Sequence, residues 1–468
     1  MILYSFGFFL IAFITIGIIS TIKSKHTVSD YLIASHGEKP WLIALSSVAT
    51  NNSGYMFIGM IGYAYTNGLS VIWIMICAIF GDFCASLFVH KNLRISSGKS
   101  KAVSFPEVMS KWNGSDHKLL RAISAIIIVI FLTVYAAAQL SAGGKAMHVL
   151  FGWNYAIGSV IGAVIVLGYC LAGGIRASIW TNTAQSFVMI GSMGLLFFMA
   201  LQKIGGFDNF IFGLKNVSPQ YFSIYPKDLF FSQGIFGLSF FIFGWFFGGF
   251  GIIGQPHIMT GFMAMESPQN ITRIRFYYYS WYIGFYIVTI ATGLASRLLI
   301  PMQEGFDSEL ALPILSQQVL PDILIGLVLA GLFSSTMSAA DSQILSCSAA
   351  ITNDLLPKKR NSYFMAKFAT LLVTIFATAI STTENEGVFV LANIGWLAMA
   401  CSFAPVITIY ALGGKMSEKM ALTTMLTGFA IMILWRYFGF GSAVYEAAPG
   451  IIGGMLPYLI FKFVKKYK

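Results

Sequence analysis

Of the 468 residues, 57% are hydrophobic and only 10% charged, and the mean hydropathy is +0.76. So little polar material cannot cover a soluble domain of this length, which excludes a soluble enzyme or nucleic-acid-binding module and indicates an all-α protein that crosses a membrane many times. The net charge of +11 reflects topology rather than a polyanionic partner, because 22 of the 29 Lys and Arg fall in alternate connections between apolar stretches.

A crossing helix needs about 20 mostly apolar residues. The chain offers about thirteen such spans: 3–22, 41–66, 70–90, 119–150, 155–173, 179–202, 229–262, 275–300, 313–352, 362–383, 387–412, 420–437 and 448–464. The first has no basic start and no small-residue cleavage site, so it reads as a retained helix rather than a signal peptide. The basic connections are Lys23–Lys39, Lys91–Arg121, Arg176, Arg273–Arg275, Lys358–Arg360, Lys415–Lys419 and the tail Lys462–Lys468. The intervening ones carry Glu304, Asp307 and Glu309, or Glu384 and Glu386. An N-terminus outside and a cytoplasmic C-terminus follow.

Two spans are interrupted. The second contains Thr50-Asn51-Asn52-Ser53-Gly54, and the seventh contains Gly248-Gly249-Phe250-Gly251 followed by Gly254-Gln255-Pro256. Helix-breaking sequence at membrane depth persists only where it lines a cavity or is buried in protein. Spans two to six (about 41–202) and seven to eleven (about 229–412) each open with a broken member, the pattern of an inverted-repeat transporter within one domain, 1–468.

The ninth span carries GLFSSTMSAADSQILSCSAAIT from Gly331 to Thr352, where hydroxyls and Asp341 stand in an apolar helix. Such groups mark a substrate or ion path. The competing expectation is that Asp341 pairs with Lys145 or Arg176. Asp82, nearer the cytoplasmic end of span three, is expected to be solvated. The five cysteines, Cys77, Cys84, Cys170, Cys347 and Cys401, have no metal or disulfide spacing and read as small buried hydrophobes. Phosphate loops and hydrolase motifs are absent, so an enzyme is not expected.

Five stretches carry a family resemblance: SDYLIASHGEKPWLIALSSVATNNSGYMFIG, the Tyr135 region, GGIRASIWTNTAQ, GFGIIGQPHIMTGFMAMES and MSAADSQILSCSAAITNDL. They resemble the sodium:solute symporter family, most nearly its bacterial sodium/proline branch. The resemblance implies a leucine-transporter-like fold in a bacterial inner membrane, with one helix before a ten-helix core and two after it. It places a sodium site at the carbonyls of Ala49, Asn52 and Ser335 and the hydroxyl of Ser338. The family's second hydroxyl is Ala339 here.

The branch commonly has Asp where this chain has Asn51 and Asn182, whereas Asp341 stands where a small hydroxyl residue is usual. Asn182, Asp341 and Ser342 are therefore expected to form a second site, for a cation or for a proton, since burial disfavours the charged carboxylate. The solute is expected among Asn51, Ser53 and Met56, Tyr135 and Gln139, and Trp245, Phe250 and Gln255. Such an aromatic, amide-rich pocket suits a small zwitterion or polar molecule. Proline-contacting aromatics of the branch fall at Gly248 and Ile252, so the solute is left open. The expected function is a sodium- or proton-coupled symporter importing a small polar solute, an amino acid or related metabolite. The alternative is a membrane sensor acting through a separate signalling partner, which the tail ending at Lys468 without a signalling domain disfavours. Lipid and the small solute are the expected partners, nucleic acid is not, and the oligomeric state is open.

Overall fold

The computed structural model describes residues 1–23, 25, 27–227, 229, 234–356, 362–383, 387–442 and 444–466. Lys358–Arg360, Glu384, Glu386 and Lys468, on which part of the charge reading rests, lie outside them. Among the described residues, eleven helical stretches are long and apolar enough to cross a membrane. Two of these contain a glycine turn, which yields the thirteen crossings expected.

The crossings are α1 (Ile2–Ser20), the broken α2 (Pro40–Asn51 and Ile61–Asn67), α3 (Ile72–Ser86), α4 (Lys118–Phe151), and α5 and α6, the limbs of Tyr155–Ile204. They continue with the broken α7 (Ile235–Phe250 and Pro256–Met263), α8 (Ile271–Leu299), α9 (Asp322–Ala349), α10 (Tyr363–Thr383), α11 (Val388–Ala411), α12 (Glu418–Tyr437) and α13 (Ala447–Lys466). A straight helix of 50 residues would measure about 75 Å, more than twice the hydrocarbon thickness. The chain turns at Gly174 (φ 59°, ψ −143°). A Cβ there would lie 2.4 Å from the Tyr31 carbonyl oxygen, so only glycine fits. Gly68 (φ 74°, ψ −148°) makes the corresponding turn between α2 and α3.

Two stretches differ from expectation. Span nine was expected from 313, but Ala311–Val319 is a separate short helix. Leu320 is extended and Pro321, which lacks an N–H, stands at the N-cap of α9. The basic connection 91–121 is not a plain loop, because it holds the helices Val89–Ser100 and Phe105–Lys111. Ser104 caps the second, its hydroxyl accepting from Glu107 N at 3.3 Å.

α9 is the axis of the molecule, and every residue from Val328 to Ala349 is buried. It packs on α1, α4, α10 and the α5–α6 pair, so its hydroxyls and Asp341 face protein rather than lipid. Exposed apolar side chains such as Tyr4, Phe8 and Ile11 on α1 stand where acyl chains belong. α3 and α7 touch backbone to backbone: a Cβ on Gly81 would lie 2.0 Å from the Phe246 carbonyl, and one on Gly249 2.1 Å from that of Ala78.

Candidate functional site

α2 loses regular geometry at Asn52 (φ −81°, ψ 13°) and winds as a π-helix over Tyr55–Met60. Single π-turns need tertiary support. It comes from α4, where Gln139 Oε1 accepts from Gly54 N at 2.8 Å, and from α9, whose Thr336 methyl would lie 2.9 Å from a Cβ on Gly54.

Where this break meets α9, oxygens converge. The Ser338 hydroxyl stands 3.1 Å from the Ala49 carbonyl and 3.0 Å from that of Ser335. One hydroxyl proton cannot serve both carbonyls at once. Asn52 is fully buried and its Oδ1 has no hydrogen-bond donor. Ala339 contributes no side-chain oxygen, so this cluster is poorer by one hydroxyl than the family pattern.

One turn further along α9 lies a second polar cluster. Asp341 Oδ1 accepts from Ser342 Oγ at 2.8 Å, Ser178 Oγ at 2.9 Å and Asn182 Nδ2 at 3.3 Å. Thr50 closes it from α2, 3.2 Å from both the Ser338 carbonyl and Ser342 Oγ. Asp341 Oδ2 and Asn182 Oδ1 have no donor in normal geometry. The neighbouring Tyr169 hydroxyl donates to the Met337 carbonyl at 3.3 Å. Acceptors therefore outnumber side-chain donors in a buried setting, which is costly unless a further donor, a cation or a proton completes the set.

The ion-pair expectation for Asp341 is overturned. Lys145 bonds Glu309 at 2.6 Å and Asp307 at 3.0 Å, while Arg176 bonds Glu38 at 2.6 Å and Asp30 at 2.7 Å. Among the described residues no ion pair reaches Asp341.

A cavity of about 60 Å³ lies between the breaks of α2 and α7. Asn51, Met56, Tyr135 and Trp245, expected around the solute, line it, together with Asn52, Tyr282, Trp396 and Tyr445. Other expected residues stand behind the wall. Gln139 braces the α2 break, and Gln255 Nε2 donates to the Trp396 carbonyl at 2.9 Å, tying the α7 break to α11. Ser53 is fully buried, its Oγ accepting from Tyr55 N at 3.3 Å. Phe250 packs on Phe88, Phe246 and Phe247.

Asp82 is a correction. Expected to be solvated, it is 1% exposed, lines the cavity, and accepts from the hydroxyls of Tyr278 at 3.0 Å and Tyr279 at 2.9 Å. Tyr278 in turn accepts from Asn51 Nδ2 at 2.8 Å. Thr50, Ser178 and these tyrosines were not singled out from sequence. Asp82 was visible there as an unpaired acid in an apolar span, but its facing could not be read.

Each end of the bundle is clasped. On one side Arg176 also donates to the Ala34 carbonyl at 3.0 Å, and Trp180 Nε1 to Glu38 at 3.2 Å. Burial works to raise both carboxyls; the Lys25 amide and Arg176 overcome it at Asp30 and hold that group below its usual range, while burial prevails at Glu38 and raises it. On the other side Glu309 receives Lys145 and the amides of Val388 (3.1 Å) and Phe389 (2.9 Å), the first residues of α11.

A profile of the sodium:solute symporter family matches residues 31–428. The high-affinity proline transporter PutP of Bacillus subtilis is 28% identical over 93% of this chain and 92% of its own. The sodium/proline symporter of Salmonella typhimurium is 28% identical over 99% and 92%. Among solved structures, a Na+-coupled sialic acid symporter in a substrate-bound outward-open state superposes with a TM-score of 0.83, at 18% identity and 98% coverage of both chains. Mhp1, a nucleobase-cation-symport-1 family transporter in a closed conformation, gives 0.59 at 14% identity, over 92% of this chain and 93% of its own. These similarities carry the fold, the expected leucine-transporter-like inverted-repeat architecture.

Proposed function

This chain belongs to the sodium:solute symporter family, and on that premise we propose that it imports a small amino acid or related metabolite together with sodium by alternating access. Membership makes it a multi-pass membrane carrier of a small solute driven by a cation. The two curated relatives named above are proline transporters, one of the solved structures is a sialic acid symporter, and the other belongs to a nucleobase-cation-symport family. The amide and aromatic groups that line the cavity suit a small polar solute.

The observation that carries the coupling is the excess of oxygen acceptors where α2, α6 and α9 meet. A hard cation wants several oxygens at short range, and helix breaks supply carbonyls without burying further charge. In this reading sodium binds among the carbonyls of Ala49, Asn52 and Ser335 and the Ser338 hydroxyl. Asn182, Asp341 and Ser342, joined by Thr50 and Ser178, hold a second cation or a proton.

Asn51 and Asn52 link the parts, since they border the solute cavity and adjoin the sodium oxygens. Bound sodium fixes the α2 break in the shape the solute needs, and linkage requires the solute to raise sodium affinity equally. We assign the repeats to about 41–202 and 229–412, with the N-terminus outside and the Arg176 clasp on the cytoplasmic side.

The test is Ser338→Ala in proteoliposomes. The sodium concentration for half-maximal uptake should rise severalfold, or uptake should cease with protein yield intact. Unchanged sodium dependence removes this site.

A further inference from the structure

Among the described residues, one carboxylate and no cationic side chain line the cavity. Of the seventeen residues that line it, Asp82 is the only Asp or Glu, and none is Lys, Arg or His. Both Asp82 oxygens are held by neutral phenols, Tyr278 and Tyr279, and no ion pair reaches it among the described residues. Each carboxylate oxygen retains acceptor capacity beyond the one bond it receives. A buried carboxylate with neutral donors only is an expensive arrangement that a positive group facing it would relieve.

The rest of the wall points the same way. Tyr135, Trp245, Tyr282, Trp396 and Tyr445 surround the space, and Trp245 stacks on Tyr445 with ring centroids 4.3 Å apart. Aromatic faces attract a desolvated cation and do nothing for an anion. The amides of Asn51 and Asn52 lie on the α2 side of the same cavity, where a zwitterion's carboxylate finds donors.

We propose that Asp82 is a specificity-determining residue that receives the positively charged amine of the solute, so that this carrier takes ammonium-bearing compounds and rejects their uncharged or purely anionic counterparts. The inference deepens the symport reading and rests on the central cavity being the solute site. It also gives the solute a path to the cation: ammonium on Asp82 acts through Tyr278 on Asn51, beside the sodium oxygens.

The test is binding to the full chain in lipid nanodiscs, read by fluorescence of Trp245 and Trp396. The probes are choline and its uncharged isostere 3,3-dimethyl-1-butanol, and L-proline and its amine-free analogue cyclopentanecarboxylate. The ammonium-bearing member of each pair that binds should do so at least about tenfold more tightly than its amine-free counterpart, the scale of a desolvated cation–π and carboxylate contact. Asp82→Asn should erase that preference while Asp82→Glu keeps part of it. If Asp82→Asn does not fold, the ranking of the isosteres on the wild-type chain decides alone. Equal binding of the amine-bearing and amine-free members, or binding of neither amine, overturns the proposal. Sodium-driven uptake, measured separately, distinguishes the two readings. Amine binding without sodium-driven uptake sinks symport alone, and uptake indifferent to the amine sinks this inference alone.

Discussion

Ser338 and Asp341 sit one helical turn apart on a helix with no lipid-facing surface in that region, and their neighbours are oxygens rather than bases. If Asp341 holds a cation, Asp341→Asn should abolish sodium stimulation of uptake; if it carries a proton, the same change should flatten the pH dependence. Asn182 Nδ2 stands 3.3 Å from Asp341 Oδ1, so the charge can be moved across that contact. Pairing Asn182→Asp with Asp341→Ser should recover sodium-stimulated transport that Asp341→Ser alone lacks. Failure of rescue, in a double variant that folds and binds solute, reduces Asp341 to a structural acid. Asp341 was legible in the sequence because an acid in a hydroxyl-rich apolar helix has few explanations. Asp82 was misread because its partners, Tyr278 and Tyr279, lie nearly two hundred positions away. Spacing along one helix cannot reveal such a contact.

The elements that close the two ends are held by few, identifiable bonds. Asp30 is kept below the usual carboxylate range despite burial, by the Lys25 amide and Arg176. A lowered value means that its contribution is present above the unfolded value of about 4 and is lost as pH falls through the folded one. Asp30→Asn should therefore lower the thermal unfolding temperature at neutral pH, and the gap from the unaltered chain should close as pH drops below about 4. Glu309 answers to the first two amides of α11 as well as to Lys145. Glu309→Gln should cost about 1–2 kcal/mol through lost helix-terminus and ion-pair interactions, read as a shift in thermal unfolding. Most helices were legible from apolar length alone. The early start given to span nine was an error of sequence reading, because Ala311–Val319 is apolar enough to look continuous and the stop lies in Pro321. The breaks were located from Asn, Gly and Pro, but their form was not. The π-helix at Tyr55–Met60 depends on Gln139 and Thr336, which the local sequence cannot anticipate.

At the scale of the whole molecule, the acceptor-rich junction and the cavity that Asp82 lines both border the α2 break, so a cation at the one and a solute in the other would bias the same element. Such an arrangement would put the sodium gradient to use: each charge moved inward gains about 2.3 kcal/mol per 100 mV, and reciprocity would pass that bias to the solute. Broken helices face each other because their glycines and amides pack against neighbouring backbone, which is how a pattern visible in sequence becomes a site only in the folded chain. The most direct test of symport is uptake into proteoliposomes under an imposed sodium gradient, with a tracer amino acid chosen by the binding panel. The account predicts accumulation above equilibrium when the gradient points inward, collapse when it is dissipated, and exchange of labelled for unlabelled solute in counterflow. Binding without flux, as in a sensor, or accumulation indifferent to every cation gradient, would contradict it.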